Sequence, residues 1–177
     1  MVFGCTGQDG SLTCYSLLKK GYTVIGISRK FSPDYKYLKK LDIDKSLEIK
    51  QLEIEEDLNS YQSLIDFYKP DEIYNLAAQS SVGFSFKEPH ITIKSIYHLT
   101  LNILEAARKL DFEGTIFFAG SSEIFGETKK AAGINHPKNC KSPYALAKEA
   151  SMNLVRYYRE VYNLNCITGI LFNHESS

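Results

Sequence analysis

Four side chains are of types that can donate or accept protons. They are Ser121 and Glu123 in Ser121-Ser122-Glu123, and Tyr144 and Lys148 in Tyr144-Ala145-Leu146-Ala147-Lys148. Residues four apart lie on one helical face, so Lys148 stands one turn from Tyr144 and can hold an ammonium near its phenol. A free tyrosine titrates near 10, and a neighbouring cation favours the phenolate, which makes Tyr144 a candidate base. Taken alone, a Tyr-x-x-x-Lys spacing is common on amphipathic helices. Its position here, beyond an apolar run from Thr115 to Ala119 that leads into Ser121, Ser122 and Glu123, raises its interest. Ser121 and Glu123 share a side if the strand stays extended past Ala119, because side chains alternate with period two.

A second constellation is Gly4-Cys5-Thr6-Gly7-Gln8-Asp9-Gly10, between the apolar run Met1 to Phe3 and a helical pattern opening at Ser11. Glycines at every third position allow a tight turn, a close approach to a pyrophosphate, and packing of the helix start on the strand. The helix amino terminus adds N–H donors and the positive end of its dipole. The pattern alone also fits an ordinary strand-to-helix turn. About 20 residues on, where NAD-binding folds place an acidic residue on the ribose 2′-hydroxyl, the sequence has Ser28-Arg29-Lys30. An acid there would repel a 2′-phosphate, whereas Arg29 offers it a planar fork of donors, so NADP is favoured over NAD. Without their neighbours, Arg29 and Lys30 read equally as solvated charges.

Strand-like runs fall at Met1 to Phe3, Tyr22 to Ile27, Leu47 to Leu52, Glu72 to Leu76, Thr115 to Ala119 and Cys166 to Leu171. Between them lie helical patterns at Ser11 to Lys20, Tyr61 to Tyr68, Ile91 to Leu110 and Pro143 to Tyr162. This βαβ alternation predicts an α/β fold with a doubly wound parallel sheet, because each parallel strand needs a right-handed crossover that stacks a helix outside. Ligands then sit beyond the carboxyl ends of the strands, where the strand order reverses. The Lys/Asp/Tyr-rich stretch from Ser32 to Asp44 reads as a solvated excursion, and the long loop from Gly126 to Ser142 as a candidate functional segment.

Composition removes several classes of function. The 177 residues are 44% hydrophobic, with 21 basic and 21 acidic side chains. The length suits one globular domain, and the balanced charge lacks the footprint of a nucleic-acid or membrane-surface binder. No apolar stretch approaches the roughly 18 residues of a spanning helix, and there is no signal-peptide pattern, so a cytoplasmic location is expected. Cys5, Cys14, Cys140 and Cys166 form no Cys-x-x-Cys pair, and His90, His98, His136 and His174 show no metal-ligand spacing. Reduced thiols and no metal are the expectation.

Longer segments narrow the reading: Thr6-Gly7-Gln8-Asp9-Gly10-Ser11, Tyr74-Asn75-Leu76-Ala77-Ala78-Gln79-Ser80, Ser122-Glu123, Ser142-Pro143-Tyr144 and Gly169-Ile170-Leu171-Phe172-Asn173-His174-Glu175-Ser176. In these the chain resembles the extended branch of the short-chain dehydrogenase/reductase superfamily and, within it, the GDP-mannose 4,6-dehydratase family. The resemblance implies a Rossmann domain that binds NADP through Gly4, Thr6, Gly7, Gln8, Asp9, Gly10, Arg29, Asp57, Leu58, Leu76, Ala77, Ala78, Gln79, Ser80, Tyr144, Lys148 and His174. It implies chemistry at Ser121, Glu123, Tyr144 and Lys148, and contacts from Ser80, Ser121, Glu123, Asn173 and Glu175 to a GDP-hexose. In the implied mechanism Tyr144 takes the C4 hydroxyl proton while hydride leaves C4, and Ser121 hydrogen-bonds the same oxygen. Glu123 removes the acidified C5 proton and returns it as water leaves C6, where hydride comes back. Oxidation, reduction or C4 epimerisation would need no carboxylate at Glu123, so that residue argues for elimination; in isolation it also reads as a cap or a solvent-facing acid.

Some positions depart from the pattern. Ser121 stands where the family carries threonine, which keeps the hydroxyl; Ile91 stands at a cofactor-contacting tyrosine position, and Tyr97 and Leu99 at glycine positions. The family continues past this point into a carboxy-terminal substrate domain. The expectation is therefore that residues 1 to 177 are the NADP-binding part, shortened at both ends, of a protein that forms homo-oligomers when complete. Two alternatives stay open: an NADP-binding module without catalysis, and a sugar-nucleotide epimerase or 4-keto reductase of the same branch.

Overall fold

In the computed structural model, which describes residues 1–29, 35–53 and 57–174, the shortest strand occupies the centre of the sheet. The strands are β1 (Val2–Phe3), β2 (Ile25–Ser28), β3 (Glu48–Gln51), β4 (Glu72–Asn75), β5 (Thr115–Ala119) and β6 (Cys166–Gly169). All pairings are parallel and the order is β3-β2-β1-β4-β5-β6. The order reverses between β1 and β4, with Val2 against Tyr74 and Phe3 against Asn75. The loops leaving these two strands therefore meet at one crevice.

Alternation along the strands distributes apolar side chains to both faces. On one face Phe3, Ile73, Ile116 and Phe118 pack with Tyr61 and Ile65 of α3 (Leu58–Tyr68), Ile103 and Leu104 of α6 (Leu99–Lys109), and Val155 and Tyr158 of α7 (Pro143–Tyr162). On the other, Val2 packs with Cys5 of the glycine loop, with Cys14 and Leu17 of α1 (Gln8–Lys19), and with Leu38 of α2 (Lys36–Lys40). The sheet is doubly wound, as its βαβ periodicity predicts. Among the described residues no helix is long and apolar enough to cross a membrane.

The ends of α7 coincide with their sequence signals. Ser142 Oγ accepts the Ala145 N–H at 3.1 Å, Pro143 occupies the first turn, and Asn163 closes the helix in the left-handed region at φ 55°. Other boundaries differ. α1 begins at Gln8 rather than Ser11, because Gly7 serves as its N-cap and the polar Gln8-Asp9-Gly10 forms the opening turn. The helix expected over 91–110 is composite: α5 (Pro89–Ile93) runs through a π-helical turn at Lys94–His98 into α6. Before it stands the unanticipated α4 (Val82–Lys87), capped by Ser81, whose Oγ accepts the Phe84 N–H at 3.1 Å.

The Ser32 to Asp44 stretch needs correction; residues 30–34 lie outside the described ones, but the remainder is not merely a solvated excursion. α2 places Leu38 at 0% exposure and the turn after it buries Ile43. A one-turn helix with a single apolar anchor among lysines and tyrosines has no periodicity to detect, which is why composition alone misreads it. Replacing Leu38 by alanine is expected to lower the unfolding free energy by about 2–5 kcal/mol, against less than about 0.5 kcal/mol for Lys40→Ala, measured by urea denaturation.

Candidate active site

The crevice is shaped by backbone meeting backbone. Gly4 turns at φ +83°, and a Cβ there would lie 2.8 Å from the Ala77 main chain. A Cβ on Gly10 would lie 2.0 Å from the Gly4 carbonyl oxygen. Neither position can carry a side chain. Gly7 differs: a Cβ would meet only the Gly4 oxygen, at 3.4 Å, and the residue borders the cleft itself. Gly4 thus makes the turn, Gly10 lets the helix start pack on it, and Gly7 leaves space at the cleft that a ligand could approach. Hydrogen bonds from Gly4 N to Ile27 O (2.9 Å) and from Leu76 N to Phe3 O (3.1 Å) extend the sheet pairing into both loops.

Two cavities share Gly7, Leu76 and Ala78 as walls. The first, about 290 Å³, takes Gly4, Thr6, Arg29 and Ala77 from the expected set, together with Phe3, Ile27, Ser28, Leu52 and Leu99. The second, about 380 Å³, gathers Gln8, Asp9, Gly10, Gln79, Ser80, Ser121, Tyr144, Lys148, Asn173 and His174, with Ala119, Gly120, Leu171 and Phe172. Sequence reasoning missed Ile27, Ser28, Leu52, Leu171 and Phe172 as site residues. Their signal was their location at or just past the carboxyl ends of the second, third and sixth strands. The apolar first cavity with Arg29 on its wall, the glycine-lined neck, and the polar second cavity have the chemistry to hold the adenosine, phosphates and reactive end of a dinucleotide.

Ser121, Tyr144 and Lys148 are all buried in this second cavity. Lys148 Nζ donates to the Ala119 carbonyl at 2.7 Å and lies 5.0 Å and 5.7 Å from the ring centres of Phe118 and Tyr144. Burial lowers its pKa to about 8. The Tyr144 phenol is shifted the opposite way from the sequence expectation: burial raises its pKa, a hydrogen bond with Ser121 lowers it, and the Glu123 charge raises it. The ammonium faces the ring and the Ala119 carbonyl, so the cost of burying a phenolate dominates.

Glu123 also requires correction. Ser121 is extended (φ −150°, ψ 143°), but Ser122–Phe125 forms a 3₁₀ turn, so strand alternation stops there. Instead Ser121 Oγ accepts the Glu123 N–H at 3.3 Å. Glu123 is half-buried beyond the cavity lining, close enough for its charge to act on Tyr144.

Asp57 and Leu58 fall outside both cavity linings. Asp57 caps α3, its carboxylate accepting the Ser60 N–H at 2.9 Å, and Leu58 packs on the core. His174 reaches back to the start of α1: Nε2 bonds Asp9 Oδ1 at 2.9 Å and Nδ1 bonds the Phe172 carbonyl at 2.7 Å. Both partners accept hydrogen bonds, which favours the charged ring and raises the pKa of the imidazole. Cys5 is fully buried, and burial pushes its thiol up to about 12, as suits an inert packing residue. Lys30 and Glu175 lie outside the described residues.

The buried lysine gives a pH signature. Its folded pKa of about 8 is below the ordinary 10.5, so between these values the unfolded chain binds the extra proton and stability rises with pH. Below about pH 8 the cost of the buried charge is fully present. Lys148→Met is expected to be most stabilising relative to wild type below pH 8, with the difference shrinking as pH approaches 10.5, measured by urea unfolding across that range.

The sequence profile of the family described as GDP-mannose 4,6 dehydratase matches residues 1–177. GDP-mannose 4,6 dehydratase 1 of Arabidopsis thaliana is 39% identical over 99% of this chain and 52% of its own length. GDP-mannose 4,6-dehydratase of Vibrio cholerae is 38% identical over 99% of this chain and 50% of its own. A solved structure of the Thermus thermophilus UDP-glucose 4-epimerase in complex with NAD superposes with a TM-score of 0.83 at 25% identity, covering 94% of this chain and 52% of that one. The chain spans about half the length of the curated relatives it matches. With the profile running its whole length and the relatives aligned across it, the chain belongs to the GDP-mannose 4,6-dehydratase family.

Proposed function

We propose that residues 1–177 form the cofactor-binding and catalytic portion of an NADP-dependent dehydratase that converts GDP-mannose to GDP-4-keto-6-deoxymannose. The observation that carries the reading is the convergence of Ser121, Tyr144 and Lys148 on one cavity that opens past the glycine neck, with Glu123 at its edge. Family membership supports the substrate class. NADP rather than NAD rests on Arg29, which lines the first cavity where a ribose 2′-phosphate would need donors. Gly4, Thr6, Gly7 and the opening turn of α1 would hold the phosphates, and Ala77 and Ala78 the dinucleotide between them.

The bound nicotinamide would supply the hydride acceptor at sugar C4 and the donor that restores hydride at C6. The chain supplies the proton transfers. Ser121 hydrogen-bonds the C4 oxygen and Tyr144 receives its proton. Burial keeps Tyr144 protonated against that task, so positive charge must reach the phenol in the loaded cleft; Lys148, charged below about pH 8, is the cation this chain provides. Glu123 takes the C5 proton once C4 is a ketone and hands it to the departing C6 oxygen. The bond from its main-chain N–H to Ser121 Oγ holds the two residues side by side, which supports roles at adjacent substrate carbons. Ser80 and Asn173 complete the sugar side of the cavity.

The test uses the protein as its gene encodes it, with GDP-mannose and NADP, and follows loss of water from the sugar by mass spectrometry. Glu123→Gln is expected to keep NADPH affinity while slowing dehydration by about 10²–10⁴-fold, the usual size of a lost general acid–base; undiminished dehydration overturns the assignment of Glu123. Arg29→Ala should weaken NADPH by about 10–100-fold, the value of a charge-assisted contact, and NADH much less. Equal losses in fluorescence titrations would remove the case for NADP.

A further inference from the structure

The loop after β4 lines the second cavity with Gln79 and Ser80, yet the Gln79 side chain is committed inside the protein. Its Nε2 donates to Thr92 Oγ1 and to the Ser81 carbonyl, both at 2.9 Å, and its Oε1 accepts the Ser81 N–H. The Gln79 main-chain N–H donates to Ser95 Oγ at 3.3 Å. Both hydroxyls are fully buried and each has its own proton engaged: Thr92 Oγ1 donates to the Glu88 carbonyl at 2.9 Å, and Ser95 Oγ to the Thr92 carbonyl at 3.0 Å. Only acceptor capacity remains for Gln79, so donor and acceptor ends of the amide are not interchangeable. Ser81 in turn caps α4. The loop is thus pinned at residue 79 to α5 and the π-helical turn, and at residue 81 to α4. Between the pins stands exposed Ser80, in the same cavity as Ser121, Tyr144 and Lys148. The π-helical turn is at the anchoring end, since Ser95 is its second residue; such turns recur at functional sites.

We propose that Gln79 is a positioning residue that acts through Ser80. By clamping the main chain on both sides, it holds the Ser80 hydroxyl where the sugar must lie, without touching the reacting atoms itself. This rests on the dehydratase reading above. Gln79→Met preserves length and removes all three side-chain hydrogen bonds. Thr92→Val removes one acceptor, and Thr92→Ser retains it.

The experiment measures kcat and KM for GDP-mannose with NADP in the protein as its gene encodes it, and amide hydrogen exchange at residues 79 and 81 in the same preparations. Gln79→Met is expected to lower kcat by about ten- to a hundred-fold, the scale of a misplacement of about 1 Å. In a Ser80→Ala background the same change should add less than about threefold, because residues acting as a unit are not additive. Thr92→Val should show a smaller loss that Thr92→Ser restores, and this pair serves if Gln79→Met does not fold. Exchange at residues 79 and 81 should quicken by about tenfold in Gln79→Met, as expected when local order is released. Unchanged kcat, or losses that multiply in the double variant, would overturn the role. Unchanged exchange would overturn the clamp. A wild-type protein that leaves GDP-mannose intact would refute the dehydratase reading, and exchange would still decide whether the clamp exists.

Discussion

Everything in the cleft depends on the contact between Gly10, Gly4 and Ala77, where the glycine loop, the first helix and the loop after β4 touch through bare main chain. No side chain fits in that contact, so the relative positions of α1 and β4 are set by backbone dimensions rather than by adjustable packing. The two halves of the sheet meet there with no slack. From it follow the narrow neck between the two cavities, the approach of the α1 amino terminus, and the fixed departure point of the Gln79 and Ser80 loop. A tight contact with little energy of its own therefore sets the walls that the two cavities share.

The buried pair in the second cavity is built against solvation preference. Lys148 and Tyr144 are buried where each resists its charged form, and their shifts run in opposite directions. One proton becomes easier to remove from the lysine, while the phenol holds its own more firmly. Pairs of groups moved in this way are sensitive to any charge that enters the cleft. Glu123, tied to Ser121 through a turn rather than a strand, adds a negative charge to the same balance.

Much of this is legible in the residues, for identifiable reasons. β5 and α7 can be read to their ends because Thr115 to Ala119 is a run of buried-strand residues and Ser142-Pro143 is a strong helix start. The parallel order follows from alternation of elements. What stays hidden is tertiary. α2 is held by one leucine, and the π-helical turn has no composition of its own. The hydroxyls that hold the Gln79 side-chain amide and its main-chain N–H lie thirteen and sixteen residues away. The electrostatics of Tyr144 and Lys148 escape the sequence because spacing along a helix reports proximity and not burial. Likeness to the family assigns Asp57 to the cleft, while its local chemistry shows it as the cap of α3.

The central position of β1 bears on how the chain comes to be folded. Val2 and Phe3 pair on one side with Gly26 and Ile27, and on the other with Tyr74 and Asn75. Parallel pairing offers no hairpin from which to start, and the middle of the sheet must wait for a segment far along the chain. During synthesis one main-chain edge of β1 would stay unpaired until β4 has emerged. In that interval the free edge of Val2 and Phe3 is open to pairing with a wrong strand. A cleft built on a seam between segments some seventy residues apart thus carries the loop-closure cost of that pairing.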